Sequence, residues 1–373
     1  MSEIRITNTD EYICINNPDY FLTFNDLKIS DGIDITENII ILSDKILKKE
    51  FNDVELMEFI EEYKEENNIE GSYISSNLKK LKLLKNQYDN YTIVNILNND
   101  LKVKNYDNNL KIIDYNKEYT CDIGQIILID YALSPQLLIE IYKTCIKEKT
   151  KFFQKLQLPK HIDEILNKNE FLTIACNLPE ECFNEEYIMD NGVDISQMVY
   201  DDDNINKEQL IENIKKSISA NCQKSLKKMK LNFGILDYLY AEGITVDDLV
   251  ETGLELCVGV EKTKELKQKV KKEILKSLTD INVIALLMAA LRTEEDFQSN
   301  HLREVDVSDD PAYLYTDEVL GLAISNQIAG TKAQFNFVRY DMKKPGILSK
   351  LGPMIDDIIG GLIAGCMSKV FEE

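Results

Sequence analysis

Tryptophan is absent from the 373 residues, and histidine occurs only twice. With two imidazoles available to activate a thiol, a cysteine nucleophile is not expected. The eight cysteines include no C-x-x-C pair, which removes the common zinc-ribbon and redox spacings. They are expected to be reduced and structural. No Arg-His-Gly triplet occurs, so phosphohistidine chemistry of that type is not expected. No apolar run reaches the ~20 residues that span a bilayer. The longest are INVIALLMAALR and the stretch around IDDIIGGLIAG, and the second carries two aspartates. An integral membrane segment is therefore not expected. MSEIRITNTDEYICINN lacks the apolar core of a secretory leader, and a cytoplasmic location is expected. Positive charge is in deficit, with 43 Lys and Arg against 65 Asp and Glu and a net charge of −22. That balance argues against a nucleic-acid partner.

What is present falls into two patterns. The first half mixes short apolar runs with amphipathic ones. NIIILSD, YTIVNIL, GQIILIDYAL and EFLTIACNL read as buried strands, while YFLTF is not decisive. VELMEFIEEYKEENN and PQLLIEIYKTCIKEKTKFFQKLQL read as helices between them. Alternation of this kind predicts an α/β domain over residues 1–198. VYDDDNINKE at 199–208 reads as an acidic linker, followed by a connecting helix up to residue 230. Residues 231–373 read as helical throughout. Thr245 and Asp248 form a capping-box start for one helix. KTKELKQKVKKEILKSL is amphipathic, DINVIALLMAALRTEEDF reads as mostly buried, and three more helices are expected at 312–330, 333–342 and 347–371.

Carboxylates enter apolar runs in this last region. Asp317 and Glu318 lie between Tyr313-Leu314-Tyr315 and Val319-Leu320, and Asp356 and Asp357 between Met354-Ile355 and Ile358-Ile359. A buried carboxylate is costly unless it is paired or binds a cation. Two such pairs on facing helices can enclose one or two Mg²⁺ ions, because Mg²⁺ takes oxygen ligands. Asp310 is seven residues before Asp317, either two turns away on the same face or the helix cap beside Pro311. Between the pairs, FVRYDMKKP supplies Arg339, Lys343 and Lys344, and guanidinium and ammonium groups bind phosphate oxygens. Asp341 is either a further ligand or the partner of Arg339. Acids, a cation and bases together suit phosphate-ester hydrolysis.

The order D-P-x-Y-L-x-x-D-E-x-x-G, F-x-R-x-D-x-x-K-P-G and G-P-x-x-D-D-x-I-G-G resembles the phosphatidylglycerophosphatase A superfamily, and within it the soluble α-ribazole phosphatase branch. The resemblance spans residues 231–373. It implies an all-α helical-bundle domain that hydrolyses a phosphomonoester with Mg²⁺ or another divalent cation such as Mn²⁺. It also implies a site in which Asp310, Asp317, Glu318, Asp356 and Asp357 hold the metal, Asp341 completes or orients that shell, and Arg339 and Lys344 bind the substrate phosphate. Arg339 stands two residues before Asp341, where the lipid branch tends to place its arginine three before.

GQIILIDYALSPQLLIEIYKTCIKEKTKFFQKLQL is similar to the strand–helix unit of adenosylcobinamide amidohydrolases, and fusions of that domain to an α-ribazole phosphatase have this order. The Thr-Glu-Ala-Lys-Thr of that family's helix stands here as Ile146-Lys147-Glu148-Lys149-Thr150, and its glycine cluster is reduced to Ser30-Asp31-Gly32. The resemblance thus implies a divergent N-terminal domain, inactive as an amidohydrolase or serving as a scaffold or corrinoid-binding module. The expected substrate is a small phosphorylated nucleoside or corrinoid, α-ribazole 5′-phosphate or a cobamide phosphate. The alternatives are phosphatidylglycerophosphate, or a non-enzymatic corrinoid-binding or assembly role.

Overall fold

A computed structural model describes residues 3–30, 32–47, 53–106, 110–115, 119–179, 195, 198–299, 301, 304 and 314–372. Contacts divide the chain into two units. One comprises Met1–Leu101 with Lys117–Asn232, and the other Lys102–Asn116 with Phe233–Glu373.

The first unit is built on strands of four to fourteen residues whose side chains alternate between two faces. Its sheet contains β1 (Arg5–Asn8), β2 (Tyr12–Asn25), β3 (Gly32–Ser43), β4 (Tyr73–Leu78), β5 (Lys82–Gln87), β6 (Tyr91–Asn99), β9 (Cys121–Ile129) and β10 (Leu166–Asn177). The order is β4-β3-β2-β10-β9-β6-β5, with β1 paired to β2. Two parallel pairs, β3 with β4 and β9 with β10, are each joined through helices. Those helices are α1 (Asp53–Glu66), between β3 and β4, and α2 (Pro135–Leu156) with α3 (Lys160–Ile165), between β9 and β10. All four expected strands are present, and YFLTF belongs to β2. Ile13, Ile15, Phe21, Ile39 and Ile126 pack on one sheet face. Cys14, Ile40 and Leu42 meet Leu56, Ile60 and Tyr63 of α1 on the other.

The acidic stretch after residue 198 is not a free linker. Asp201 accepts a hydrogen bond from Ala132 N at 2.9 Å, and Asp202 accepts from Ser134 N at 2.9 Å and Ser134 Oγ at 2.7 Å. These carboxylates pin the turn that starts α2. The helix α4 (Lys207–Met229) belongs to the same unit and packs against α2 and β6. Its buried Leu210, Ile214, Ile218 and Cys222 form the stripe that makes this contact. A connecting helix would have no reason to carry such a stripe.

The second unit takes a hairpin from the middle of the chain, β7 (Val103–Asn105) and β8 (Lys111–Ile113). Buried Asp237 holds it, accepting from Ile113 N at 3.0 Å and Tyr115 Oη at 2.7 Å while also capping Gly234 N at 2.9 Å. The unit's helices are α5 (Ile235–Ala241), α6 (Val246–Glu255), α7 (Lys264–Ser277), α8 (Ile281–Gln298), α9 (Thr316–Ala329), α10 (Thr331–Lys343) and α11 (Pro353–Val370). The capping box of α6 forms as expected, with Thr245 N donating to Asp248 Oδ2 at 3.0 Å and Asp248 N to Thr245 Oγ1 at 3.2 Å.

α11 is the central helix, buried from Met354 through Met367 and packed against α6, α7, α8, α9 and α10. A helix apolar on every side belongs in a core. α8, expected to be mostly buried, instead presents one face inward through Val283, Leu287, Ala290, Leu291 and Glu294, with Ile281 exposed. The helix expected from residue 347 begins at Pro353, because Gly346–Lys350 form a 3-10 turn and Pro353 suits a first helical position. No single helix among the described residues is long and apolar enough to cross a membrane.

Candidate metal and phosphate site

Asp317 and Glu318 occupy the first turn of α9, and Asp356 closes that of α11, with Asp357 next along the helix. Unpaired N–H groups at a helix start favour negative charge, so both positions suit carboxylates. What brings the two starts together is the absence of side chains where the helices touch. A Cβ on Gly361 would lie 2.3 Å from Gly321 O, and one on Gly321 would lie 2.8 Å from Asp357 O and 2.4 Å from Phe337 Cζ. Helix-interior glycine is unfavourable by about 1 kcal/mol relative to alanine. Here it permits a backbone approach that no other residue allows.

The result is a cluster in which Asp317, Glu318 and Asp357 each offer an oxygen, all within 4.8 Å of one another. Asp317 is 4% exposed and Asp357 is 3% exposed. Burial pushes the Asp317 carboxyl up to about 7, helped by a hydrogen bond shared with Glu318. Burial pushes Asp357 up to about 9, reinforced by the charges of Asp356, Asp341, Asp317 and Glu318. Glu318 Oε2 is buried and has no hydrogen-bond partner among the described residues. Crowded acids with a vacant lone pair are what a hard cation satisfies, and an all-oxygen donor set fits Mg²⁺ or Mn²⁺.

Asp356 is directed differently, with its Oδ2 2.6 Å from Lys344 Nζ. Lys344 takes a left-handed backbone (φ 37°) at the end of α10, just before Pro345. That reversal turns the chain towards the start of α11. Asp341 is half-buried and close enough to raise Asp357. Arg339 is exposed, and its guanidinium donates to Leu256 O at 3.1 Å and Asn336 Oδ1 at 3.4 Å. Asp310 lies outside the described residues.

Three groups that sequence reasoning did not single out support this arrangement. Glu294, 2% exposed, accepts Met354 N at 2.9 Å, and so holds the first turn of α11. Its Oε1 would lie 2.0 Å from a Cβ on Gly352, which explains the glycine there. Buried Thr252 accepts Ile347 N at 3.1 Å, and Tyr340 Oη donates to Gly253 O at 2.6 Å. The first ties the loop after α10 to α6, and the second ties α10 itself to α6. An acid within the charged run RTEED carries no signal that separates Glu294 from its solvated neighbours.

Comparison with known proteins places these residues in context. The model of a family described as phosphatidylglycerophosphatase A matches residues 233–372. An uncharacterized protein of Methanocaldococcus jannaschii is 47% identical over 128 residues, covering 33% of this chain and all of that protein. Among solved structures, the low temperature requirement C protein of Listeria monocytogenes is 23% identical, with 37% of this chain and 92% of that chain covered and a TM-score of 0.32. Protein ypjQ of Bacillus subtilis is 22% identical, with 37% and 90% covered and a TM-score of 0.33.

Proposed function

Through residues 233–372 the chain belongs to the phosphatidylglycerophosphatase A family, and from that premise we propose that it is a divalent-cation-dependent phosphomonoester hydrolase. The observation that carries this reading is the trio Asp317, Glu318 and Asp357 within 4.8 Å, two of them buried and Glu318 half-buried, inside the matched region. Asp317, Glu318 and Asp357 would hold Mg²⁺ or Mn²⁺, with Asp310 and Asp356 as further ligands. When bound, the cation supplies Lewis-acid neutralisation of charge on the phosphoryl group and on its nucleophile.

The chain's own residues do the rest. Asp341 orients the acids of α11 by its charge. Lys344, already paired with Asp356, offers an ammonium to a phosphate oxygen. Arg339 supplies a second cation by exchanging the Leu256 carbonyl for the phosphate. Glu294 and the Gly321–Gly361 contact keep the two helix starts in register.

For the substrate, our reading is α-ribazole 5′-phosphate or the corresponding cobamide phosphate, in a cytoplasmic protein. The N-terminal unit is then a divergent amidohydrolase-like domain acting as a scaffold or corrinoid module. The order of the two resemblances along the chain supports this. A second reading, phosphatidylglycerophosphate, is favoured by the exposed apolar side chains Phe335 and Met342 on α10.

Phosphate release by the full chain decides between them. It is measured with Mg²⁺ on α-ribazole 5′-phosphate and on phosphatidylglycerophosphate in detergent, with and without EDTA, for wild type and Asp317→Asn. EDTA-sensitive release from the ribazole ester, abolished in Asp317→Asn, is the expected result. Preference for the lipid moves the chain to the second reading. Release unaffected by EDTA or by Asp317→Asn sinks the site.

A further inference from the structure

The outward face of α10 differs from the rest of this acidic chain. Ala333, Phe337 and Tyr340 face the core. The exposed positions are Lys332, Phe335, Val338, Arg339, Met342 and Lys343, apart from Thr331 at the helix start. Phe335 is 76% exposed and Met342 79%. Three apolar side chains at i, i+3 and i+7 thus form a stripe along one side of the helix. Three cations flank it, Lys332 being paired with Glu372 at 3.4 Å; the one acid of α10, Asp341, is half-buried and acts on Asp357. On α9, which packs against α10, Val319 is also exposed, as is Tyr315 just before that helix. Val319 directly follows Glu318 of the carboxylate trio.

We infer that this face docks the protein on an anionic lipid surface, with Phe335, Val338 and Met342 entering the headgroup boundary and Lys332 and Lys343 meeting lipid phosphates. An apolar stripe edged by Lys and Arg is the pattern of a helix that lies in the membrane interface. The net charge of −22 does not oppose this, because at physiological salt the field is felt over only about 8 Å. The local patch, rather than the whole chain, then decides. A second copy of the chain fits less well. A two-fold interface pairs the patch with itself, which would set these cations against one another. Docking in this orientation brings the start of α9 near the surface. The inference does not depend on which phosphoester is hydrolysed, nor on turnover.

Vesicle co-sedimentation of the full chain tests it, with phosphatidylcholine alone and phosphatidylcholine mixed with phosphatidylserine. Phosphatidylserine is a phosphodiester and so does not present the proposed substrate group. Binding is expected only with the anionic lipid and should fall as salt rises. Phe335→Asp combined with Met342→Asp, and separately Val338→Asp, should each weaken it by about tenfold or more. Hydrolysis of a soluble phosphomonoester by these variants should match wild type, which separates lost docking from lost folding. Absence of vesicle binding at low salt overturns the inference, as does binding that the variants leave unchanged. A dimer in sedimentation that Phe335→Asp dissociates would assign the face to a second copy instead. Vesicle binding by a protein without phosphatase activity would sink the catalytic reading and leave the docking face standing.

Discussion

Replacing Asp357 with asparagine should make the metal-free protein more stable while removing its response to metal. The Asp357 carboxyl is buried and faces Asp356, Asp341, Asp317 and Glu318, which raises it from 3.8 to about 9. The folded state therefore holds this proton more tightly than the unfolded chain does. The associated stability is complete below the ordinary carboxylate range and is lost as pH rises from there towards about 9. Near neutrality, roughly three units above the ordinary value, the loss has a ceiling of about 4 kcal/mol at ~1.4 kcal/mol per unit. Sharing of protons within the cluster brings the expected gain for Asp357→Asn to about 2–4 kcal/mol, or roughly 5–10 °C for a unit of this size. Thermal unfolding in EDTA, followed across the neutral to alkaline range, should show the gap between variant and wild type widening as pH rises. Adding Mg²⁺ should then raise the wild-type midpoint, because a ligand of the folded state stabilises it, and leave the variant's midpoint where it was. A variant no more stable than wild type in EDTA, or one that keeps the full Mg²⁺ shift, refutes the reasoning that these acids form a cation site.

Gly361→Val should destabilise the protein by about 2–3 kcal/mol through overpacking against Gly321 O, and weaken the Mg²⁺ response in the same samples. Glu294→Ala leaves Met354 N without its buried acceptor and should cost about 1–3 kcal/mol in denaturant titrations. Glu294→Gln, which still accepts that bond, should retain most of the stability. Lys149 of α2 is fully buried, its Nζ has no hydrogen-bond partner among the described residues, and burial lowers its pKa. The unfolded chain therefore binds more protons there, so wild-type stability rises with pH. Lys149→Met should gain about 1–4 kcal/mol near neutrality, and the gain should shrink in alkaline buffer. A destabilised variant would point to a partner that this interior does not show. Asp202→Ala frees Ser134 N and Oγ at the start of α2 and should cost about 1–2 kcal/mol without changing phosphate release.

Local order determined much of this protein before any packing is considered. Period-two and unbroken apolar runs identify β3, β6, β9 and β10, because a strand's neighbours in sequence are its two faces. Thr245 and Asp248 mark the start of α6, since a capping box is closed within four residues. The carboxylate pairs stand out because Asp317-Glu318 and Asp356-Asp357 interrupt apolar sequence, which burial penalises unless something compensates. Other features depend on groups far apart in the chain, and no local pattern encodes them. Asp237 captures the Lys102–Asn116 hairpin into the second unit across 124 residues. Asp201 and Asp202 read as a solvated run until Ala132 and Ser134 are placed beside them. The close approach of α9 and α11 at Gly321 and Gly361 decides which acids meet. It gathers Asp317, Glu318 and Asp357 and turns Asp356 to Lys344. Sequence spacing specifies the face of a helix on which a carboxylate lies, but only the crossing of two helices specifies the distance between carboxylates on different ones. Metal affinity depends on that distance.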